Sequence, residues 1–273
     1  MNEDNKNNKK KSPAAFIISI VVFIAAVIAA LLVLRFCTPY MPDLFDGIRN
    51  KGSKAQDSAV TEQTSVDTDT GVPEPELPEN PIDFSEQMKV NDEIYAWIRI
   101  PNTNVDYPIL QSREDDLYYL RRNLDKSYYI PGVLFTESVN KRDFSDPVTV
   151  IYGHNMSEDG SMFATLHYFE DEKFFKENEF FYVYTPSHIL TYRVVSAYKY
   201  DNRHITNSFD FSDEKVREEY FDYVMNPVTI PMNVREGVTL SKDDKLLILS
   251  TCMASNTYRY LVNGVLVSDE RTK

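Results

Sequence analysis

A mainly β domain, closed into a small barrel of about eight strands, is the fold this sequence predicts, with one helix before the first strand and another inserted before the last strands. Three observations carry that expectation. Runs dense in Val, Ile, Leu and Tyr recur at short spacing from about residue 93 to the C-terminal end. The breaks between them are rich in Pro, Gly, Asn and Asp. Helical patterns are fewer than strand patterns, which suits a closed barrel better than a doubly wound sheet.

Taken in order, residues 84–90 read as the first helix. Strand-like runs at 93–100 and 105–111 flank Pro101-Asn102-Thr103-Asn104, a turn-rich break. A second helix is expected after Ser112, with acidic residues in its first turn. Further strands fall at 147–152, 180–185, 189–200, 245–251 and 260–268. A third helix is expected through 161–168. A fourth covers 213–225, where Val216, Tyr220 and Val224 recur at four-residue steps and Pro227 stops it. There is no internal repeat.

The chain ahead of this domain has a different character. Residues 14–34 form a run of 21 without charge and with one hydroxyl, Ser19. At 1.5 Å per residue such a run spans roughly 30 Å, the hydrocarbon thickness of a bilayer. A cleaved signal peptide would have a shorter apolar region and a small-residue cleavage site, and none follows Leu34. Lys6, Lys9, Lys10 and Lys11 precede the run and Arg35 alone follows it, so the positive-inside rule puts the N-terminus in the cytoplasm and everything after Arg35 outside. From 50 to 83 the sequence is rich in Ser, Thr, Asp, Glu and Pro, and no aromatic residue occurs between Phe45 and Phe84. Such a stretch cannot bury enough surface to offset its ordering entropy and reads as a tether. The expected organisation is therefore a cytoplasmic tail at 1–13, a transmembrane anchor at 14–34, an extracellular tether at 35–82 and a folded domain at 83–273.

Charge and composition exclude some classes. The chain carries a formal charge of −13, and 42% of its residues are hydrophobic, ample for a core. Residues 1–35 hold five cations against Glu3 and Asp4, which leaves −16 on the remainder. A domain that acidic repels phosphate backbones, so nucleic acid is not an expected partner. The two cysteines, Cys37 and Cys252, cannot form a Cys-rich zinc site, and no His/Asp/Glu cluster shows metal-ligand spacing. Neither Glu170-Asp171-Glu172 nor Asp243-Asp244 has the ligand pattern of a calcium loop, so both read as solvated charge. No metal and no cofactor is expected.

Cys252 ends the apolar run Leu246-Leu-Ile-Leu-Ser-Thr-Cys252. Position alone leaves two readings, an inert buried thiol, which is the commoner fate of a free cysteine, or a nucleophile. The second gains weight because an exported chain that otherwise avoids cysteine keeps this thiol. Of the four histidines, His167 reads as half-buried helix packing, and His188 and His204 read as surface residues in turns. His154 ends a strand, behind Gly153, where catalytic groups tend to sit; a structural histidine is the alternative. Acyl transfer also needs positive charge where the oxyanion forms. Arg259 follows Cys252 across a turn of six residues, so the two strand ends are expected to be neighbours. Otherwise it is an exposed charge at a strand edge.

The run Ile151-Tyr-Gly-His-Asn-Met156 followed by Ser161-Met-Phe-Ala-Thr-Leu166 resembles the histidine region of class B sortases. Leu249-Ser-Thr-Cys252 with Arg259, Leu261-Val262 and Leu266-Val267 resembles the cysteine–arginine signature of the same family. Ala96-Trp-Ile-Arg-Ile-Pro101, Val105-Asp-Tyr-Pro108 and Tyr118-Tyr-Leu120 resemble its opening segment. The likeness covers roughly 84–267, and the helix at 213–225 favours class B over class A. Two departures stand out. Ala96 replaces a common glycine, and Phe135-Thr-Glu137 replaces a Phe-x-Asp pattern.

The resemblance implies a cysteine transpeptidase, of the thiol peptidase kind, whose substrate is a C-terminal sorting signal (Asn/Ser/Leu-Pro-x-Thr) on another secreted protein. It makes Cys252 the nucleophile at the threonine carbonyl, Arg259 the oxyanion and substrate-positioning partner, and His154 the general acid and then base. A thioacyl-enzyme is then released to an amine of peptidoglycan precursor. Ser250 and Thr251 support the substrate pocket. Three alternatives stay open: a pilin-polymerising sortase with a lysine acceptor, a cysteine hydrolase, and a non-catalytic surface binding module on the same barrel.

Overall fold

The computed structural model describes residues 76–252 and 257–273. Eight strands close into a barrel in the order β11-β10-β4-β3-β2-β1-β7-β8, and β8 returns to pair with β11. The strands are β1 Ile94–Arg99, β2 Asp106–Leu110, β3 Leu134–Phe135, β4 Val148–Tyr152, β7 Phe180–Thr185, β8 His188–Asp201, β10 Leu246–Cys252 and β11 Tyr258–Arg271. Short β9, Met232–Val234, adds to the outer edge of β8. β5 Asn155–Met156 and β6 Ser161–Met162 make a separate two-stranded ribbon. The mainly β barrel expected from the sequence is the observed architecture.

Alternation along β10 shows how the barrel buries both of its faces. Leu247 and Leu249 point into the barrel core with Ile98, Ile151 and Val262. Leu246 and Ile248 point outward, beneath Tyr220, Phe221 and Val224 of helix α4, Glu214–Met225. A strand covered on both faces reads as continuous apolar sequence rather than alternation, which is what 246–249 shows. Burying each such side chain contributes about 1.5–3 kcal/mol. Asp213 starts α4 by accepting from the N–H groups of Lys215 and Val216. Helix α1, Phe84–Val90, is capped in the same way by Asp83 and buries Phe84 against the barrel. Ahead of it, the Asn80 amide donates to the Thr185 carbonyl at 2.7 Å, and the Lys273 N–H donates to Pro78 O at 3.0 Å.

Two expected helices differ. After Ser112 the chain turns, and only Tyr118–Arg121 winds, as a 3-10 helix. The Ser112 hydroxyl accepts from Glu114 N and Asp115 N, and the Asp115 carboxylate accepts from Leu117 N. These local bonds satisfy the backbone without a helix. At 161–168 the first two residues are strand β6, and a 3-10 helix over Ala164–Glu170 follows. Helix α2, Glu172–Glu177, starts at an Asp171 cap within the acidic run read as solvated charge. A one-turn helix α3, Ile205–Ser208, follows β8.

Among the described residues no helix is long and apolar enough to cross a membrane. The anchor expected at 14–34 and the tail before it lie outside the described residues, as does the tether up to residue 75.

Candidate functional site

β4 and β10 run parallel, with Ser250 opposite Tyr152, so both strands end at the same rim of the barrel. β11 runs antiparallel to β10 and begins where β10 ends, with Arg259 opposite Cys252. This topology brings the residues after β4, the last residue of β10 and the first residues of β11 to one place, although more than 90 residues separate His154 from Cys252.

Gly153 carries the chain past β4. Its N–H donates to Ser250 O at 3.1 Å, and His154 O accepts from Phe163 N at 2.9 Å. The His154 ring is fixed by a 2.8 Å bond from Nε2 to the carbonyl oxygen of Leu120. A carbonyl oxygen can only accept, so the proton of neutral His154 sits on Nε2 and Nδ1 is the nitrogen left for proton exchange. Burial pushes the His154 pKa below its ordinary value, and the nearby charges of Arg121 and Arg259 push the same way; the bond to Leu120 opposes them.

Leu120 is itself held from below. Tyr119, 0% exposed, donates its hydroxyl to the Glu93 carboxylate and accepts from the Asn91 amide at 2.9 Å. The Glu93 carboxylate, on a residue only 3% exposed, also accepts from Arg113 N at 2.7 Å and lies 3.4 Å from Lys126 Nζ. Burial works to raise the Glu93 pKa, but the Tyr119 hydroxyl, the Arg113 N–H and Lys126 together hold it below the ordinary carboxylate value. Glu93 thus fixes the 3-10 helix that offers His154 its carbonyl.

A cavity of about 270 Å³ opens at this rim. Ser250, Thr251, His154, Arg259, Leu117 and Leu120 line it. Phe135, Glu137, Tyr152, Gly153 and residues 202–205 line it as well. Thr251 Oγ1 is buried without a hydrogen-bond partner. Burial and the charge of Glu137 push the Tyr152 pKa well up, so its hydroxyl stays protonated and able to donate.

Four of the five residues singled out in the sequence, His154, Ser250, Thr251 and Arg259, therefore line one cavity. The fifth, Cys252, is placed by its backbone pairing with Arg259, and its side chain lies outside what is described. The other histidines part ways. His167 stacks on Tyr260 at 4.8 Å, and His188 pairs with Asp269 where β8 begins. His204, read from the sequence as a surface residue, lines the cavity and donates to buried Glu137 at 2.7 Å. No local pattern marks that contact, because its partners are 67 residues apart. The unusual Glu137 in the Phe135-Thr136-Glu137 run was its only trace in the sequence.

The chain was compared with known proteins. The family model described as the sortase domain matches residues 98–267. Sortase B of Listeria monocytogenes is 32% identical over 190 residues, which span 66% of this chain and 72% of that protein. Sortase B of Staphylococcus aureus is 24% identical over 169 residues, spanning 62% of this chain and 67% of that one. Among solved structures, Clostridium perfringens sortase B superposes with a TM-score of 0.61 at 26% identity, covering 68% of this chain and all of that one. A Streptococcus pyogenes class B sortase involved in pilus biogenesis superposes with a TM-score of 0.58 at 25% identity, covering 68% and 98% of the two chains.

Proposed function

This chain belongs to the sortase family, among its class B members, and we propose that it is a membrane-anchored transpeptidase acting through Cys252, His154 and Arg259. Family membership brings with it the general chemistry of a cysteine transpeptidase that takes a sorting signal and an amine acceptor. The observation that carries the residue roles is the convergence at one cavity of the ends of parallel β4 and β10 with the start of β11.

In this reading the Cys252 thiolate attacks the threonine carbonyl of an Asn/Ser/Leu-Pro-x-Thr signal. Arg259 stabilises the tetrahedral oxyanion made as the C–S bond forms, and the C–N bond breaks when that intermediate collapses. His154 as imidazolium gives its Nδ1 proton to the departing amine, with Nε2 held on Leu120 throughout. An amine of peptidoglycan precursor then attacks the thioester, gives its proton to Nδ1 and releases Cys252. Ser250 and Thr251 shape the floor beneath the peptide. The uncharged run 14–34, with four lysines before it, is the single-pass anchor of a protein whose catalytic domain is extracellular. Anchoring confines enzyme, signal-bearing protein and lipid-linked acceptor to one surface, which raises their effective concentrations.

A second reading is a pilin-polymerising sortase with a lysine side chain as acceptor. What favours it is the structural likeness to the Streptococcus pyogenes class B sortase involved in pilus biogenesis.

The deciding experiment incubates the full chain and its Cys252→Ala variant with a panel of sorting-signal peptides, with and without an added amine, and follows intact mass. A mass gain on Cys252 equal to the peptide through its threonine, discharged by the amine, is the expected result. A folded protein whose Cys252 reacts with a small alkylating agent but takes no peptide would favour a binding module. Failure of Cys252 to alkylate at all would mean a buried thiol and overturn the mechanism.

A further inference from the structure

We infer that Glu137 is a positioning residue for this reaction, tying down through His204 and Thr206 the cavity wall against which the peptide lies. The inference rests on the function proposed above and names a residue outside the Cys252–His154–Arg259 set.

Glu137 follows β3 and is 5% exposed, a carboxylate taken almost wholly out of water. Such a charge persists only where its oxygens are bonded. Oε1 accepts from His204 Nε2 at 2.7 Å, and Oε2 accepts from Thr206 Oγ1 at 2.7 Å. A third edge joins Thr206 Oγ1 and His204 Nδ1 at 3.1 Å. The triangle can be counted in protons. Thr206 has one hydroxyl proton and spends it on the carboxylate, so toward Nδ1 its oxygen accepts. Nε2 also donates, to Oε1. The three edges close a ring of hydrogen bonds that joins the carboxylate to both side chains.

The placement of this triangle gives it a role. Glu137 belongs to the β3 side of the mouth, while His204 and Thr206 flank the start of α3, which follows β8. Residues 202–206 take part in no strand pairing, so the wall they form has no ladder to hold it. Ile205, 2% exposed, inserts into the apolar cluster under α4, and the Glu137 triangle bonds the wall across the mouth. The His204 ring lies 5.8 Å from that of Tyr152, which in turn stacks on Phe135 at 5.5 Å. Other charged groups lie at the same cavity. Arg203 is paired with Asp201 at 2.9 Å, whereas Arg259 and His154 line the cavity with Glu137 and His204.

A wall held before the substrate arrives saves the peptide the ordering of a loop, and that saving appears in binding rather than in the chemical step. The assignment is tested by steady-state kcat and KM for a sorting-signal peptide, using the full chain. The variants are Glu137→Ala, Glu137→Gln, His204→Ala, Thr206→Val and the His204→Ala/Thr206→Val pair. Glu137→Ala and His204→Ala are expected to raise KM about tenfold with kcat within about twofold of wild type. The pair is expected to be no worse than His204→Ala alone, because both act through one tie. Glu137→Gln is expected to keep KM within about threefold. Its amide oxygen can accept from Nε2–H and its NH2 can donate to Thr206, whose hydroxyl then donates to Nδ1. An unchanged KM in Glu137→Ala and His204→Ala, a loss confined to kcat, or multiplicative effects in the pair would overturn the assignment. Should Glu137→Ala fail to fold, the His204 and Thr206 variants decide by the same criteria. A wild-type protein that turns over no peptide would instead sink the proposed function, and this role with it.

Discussion

Gly153 offers a direct test of how this site is built, because the position next to His154 has no room for even a methyl group. A Cβ placed there would lie 2.4 Å from Leu134 Cδ2 and 2.6 Å from Phe163 Cδ2. Carbon atoms in good contact sit about 3.5–4.0 Å apart, so the overlap is about 1 Å. Both neighbours are 0% exposed and packed into buried clusters, so neither has empty space to retreat into. The backbone is equally committed, since Gly153 N is bonded to Ser250 O and His154 O to Phe163 N. Gly153→Ala is therefore expected to cost about 1–3 kcal/mol, the usual range for overpacking a core. For a domain of this size that lowers Tm by about 2–12 °C. The same strain, relieved by moving the chain about 1 Å, displaces His154 from Leu120 and lowers turnover by up to about 100-fold. Denaturation midpoints and peptide turnover measured on one preparation separate the two effects. An alanine variant that melts within about 1 °C of wild type and turns over at the wild-type rate would refute the packing argument.

Three other outcomes follow from the same geometry. The His154 titration, read by NMR of the imidazole, is expected to fall below its ordinary value near 6.5 and to rise toward it in Arg121→Gln or Arg259→Gln, because each removes a repelling charge. A lowered histidine pKa means that the unfolded chain binds more protons, so this contribution to stability is present above pH about 6.5 and lost as pH falls below it; urea unfolding of His154→Gln should show a shallower loss on that side. Tyr119→Phe leaves Glu93 buried and one donor short, a loss of about 1–3 kcal/mol. Because the Glu93 pKa is lowered in the folded state, that loss should be present above its unfolded value near 4.5 and shrink as pH falls through the folded value, with urea midpoints at pH 7 and pH 4 as the check. Thr251→Val replaces a hydroxyl that has no partner by a methyl group of the same shape, and should leave stability unchanged or raise it by up to about 1 kcal/mol in thermal unfolding.

The sequence expressed most clearly what depends on local pattern. Strands β4, β8, β10 and β11 are long or two-sided apolar runs, and α4 has both a cap in Asp213 and a stop in Pro227, so each is legible in a single window. Four of the five residues singled out in the sequence line the cavity because parallel and antiparallel pairing carries them there, and a reading of strand ends needs no further detail. Illegible parts were those settled by individual hydrogen bonds. The helix expected after Ser112 loses to side chains that cap a turn instead. Strands of two residues, such as β3 and β6, carry no period at all and exist through their partners. His204 has the local surroundings of a surface turn, and only a carboxylate 67 residues away makes it part of the cavity.

The two sides of this cavity are held by the same physical device. On one side Glu93, 3% exposed, fixes Tyr119 and with it the carbonyl that orients His154. On the other, Glu137, 5% exposed, fixes His204 and Thr206. Both carboxylates serve segments outside the strands of the barrel, where no ladder of backbone bonds sets the position of the chain. Apolar packing alone holds such segments at a depth but not at a register, because it lacks direction. A buried charge with both of its oxygens bonded supplies the direction, and removing one partner leaves the other exposed to the full cost of desolvation. The two networks differ in one respect that bears on function. In the proposed mechanism the Glu93 network acts on a group that must hold one tautomer while protons move through its other nitrogen, so its failure should appear in kcat. The Glu137 network acts on a wall that meets only the bound peptide, so its failure should appear in KM. Comparing Tyr119→Phe with His204→Ala in one assay therefore tests whether the barrel rim separates chemistry from recognition, and equal effects of both variants on kcat would show that it does not.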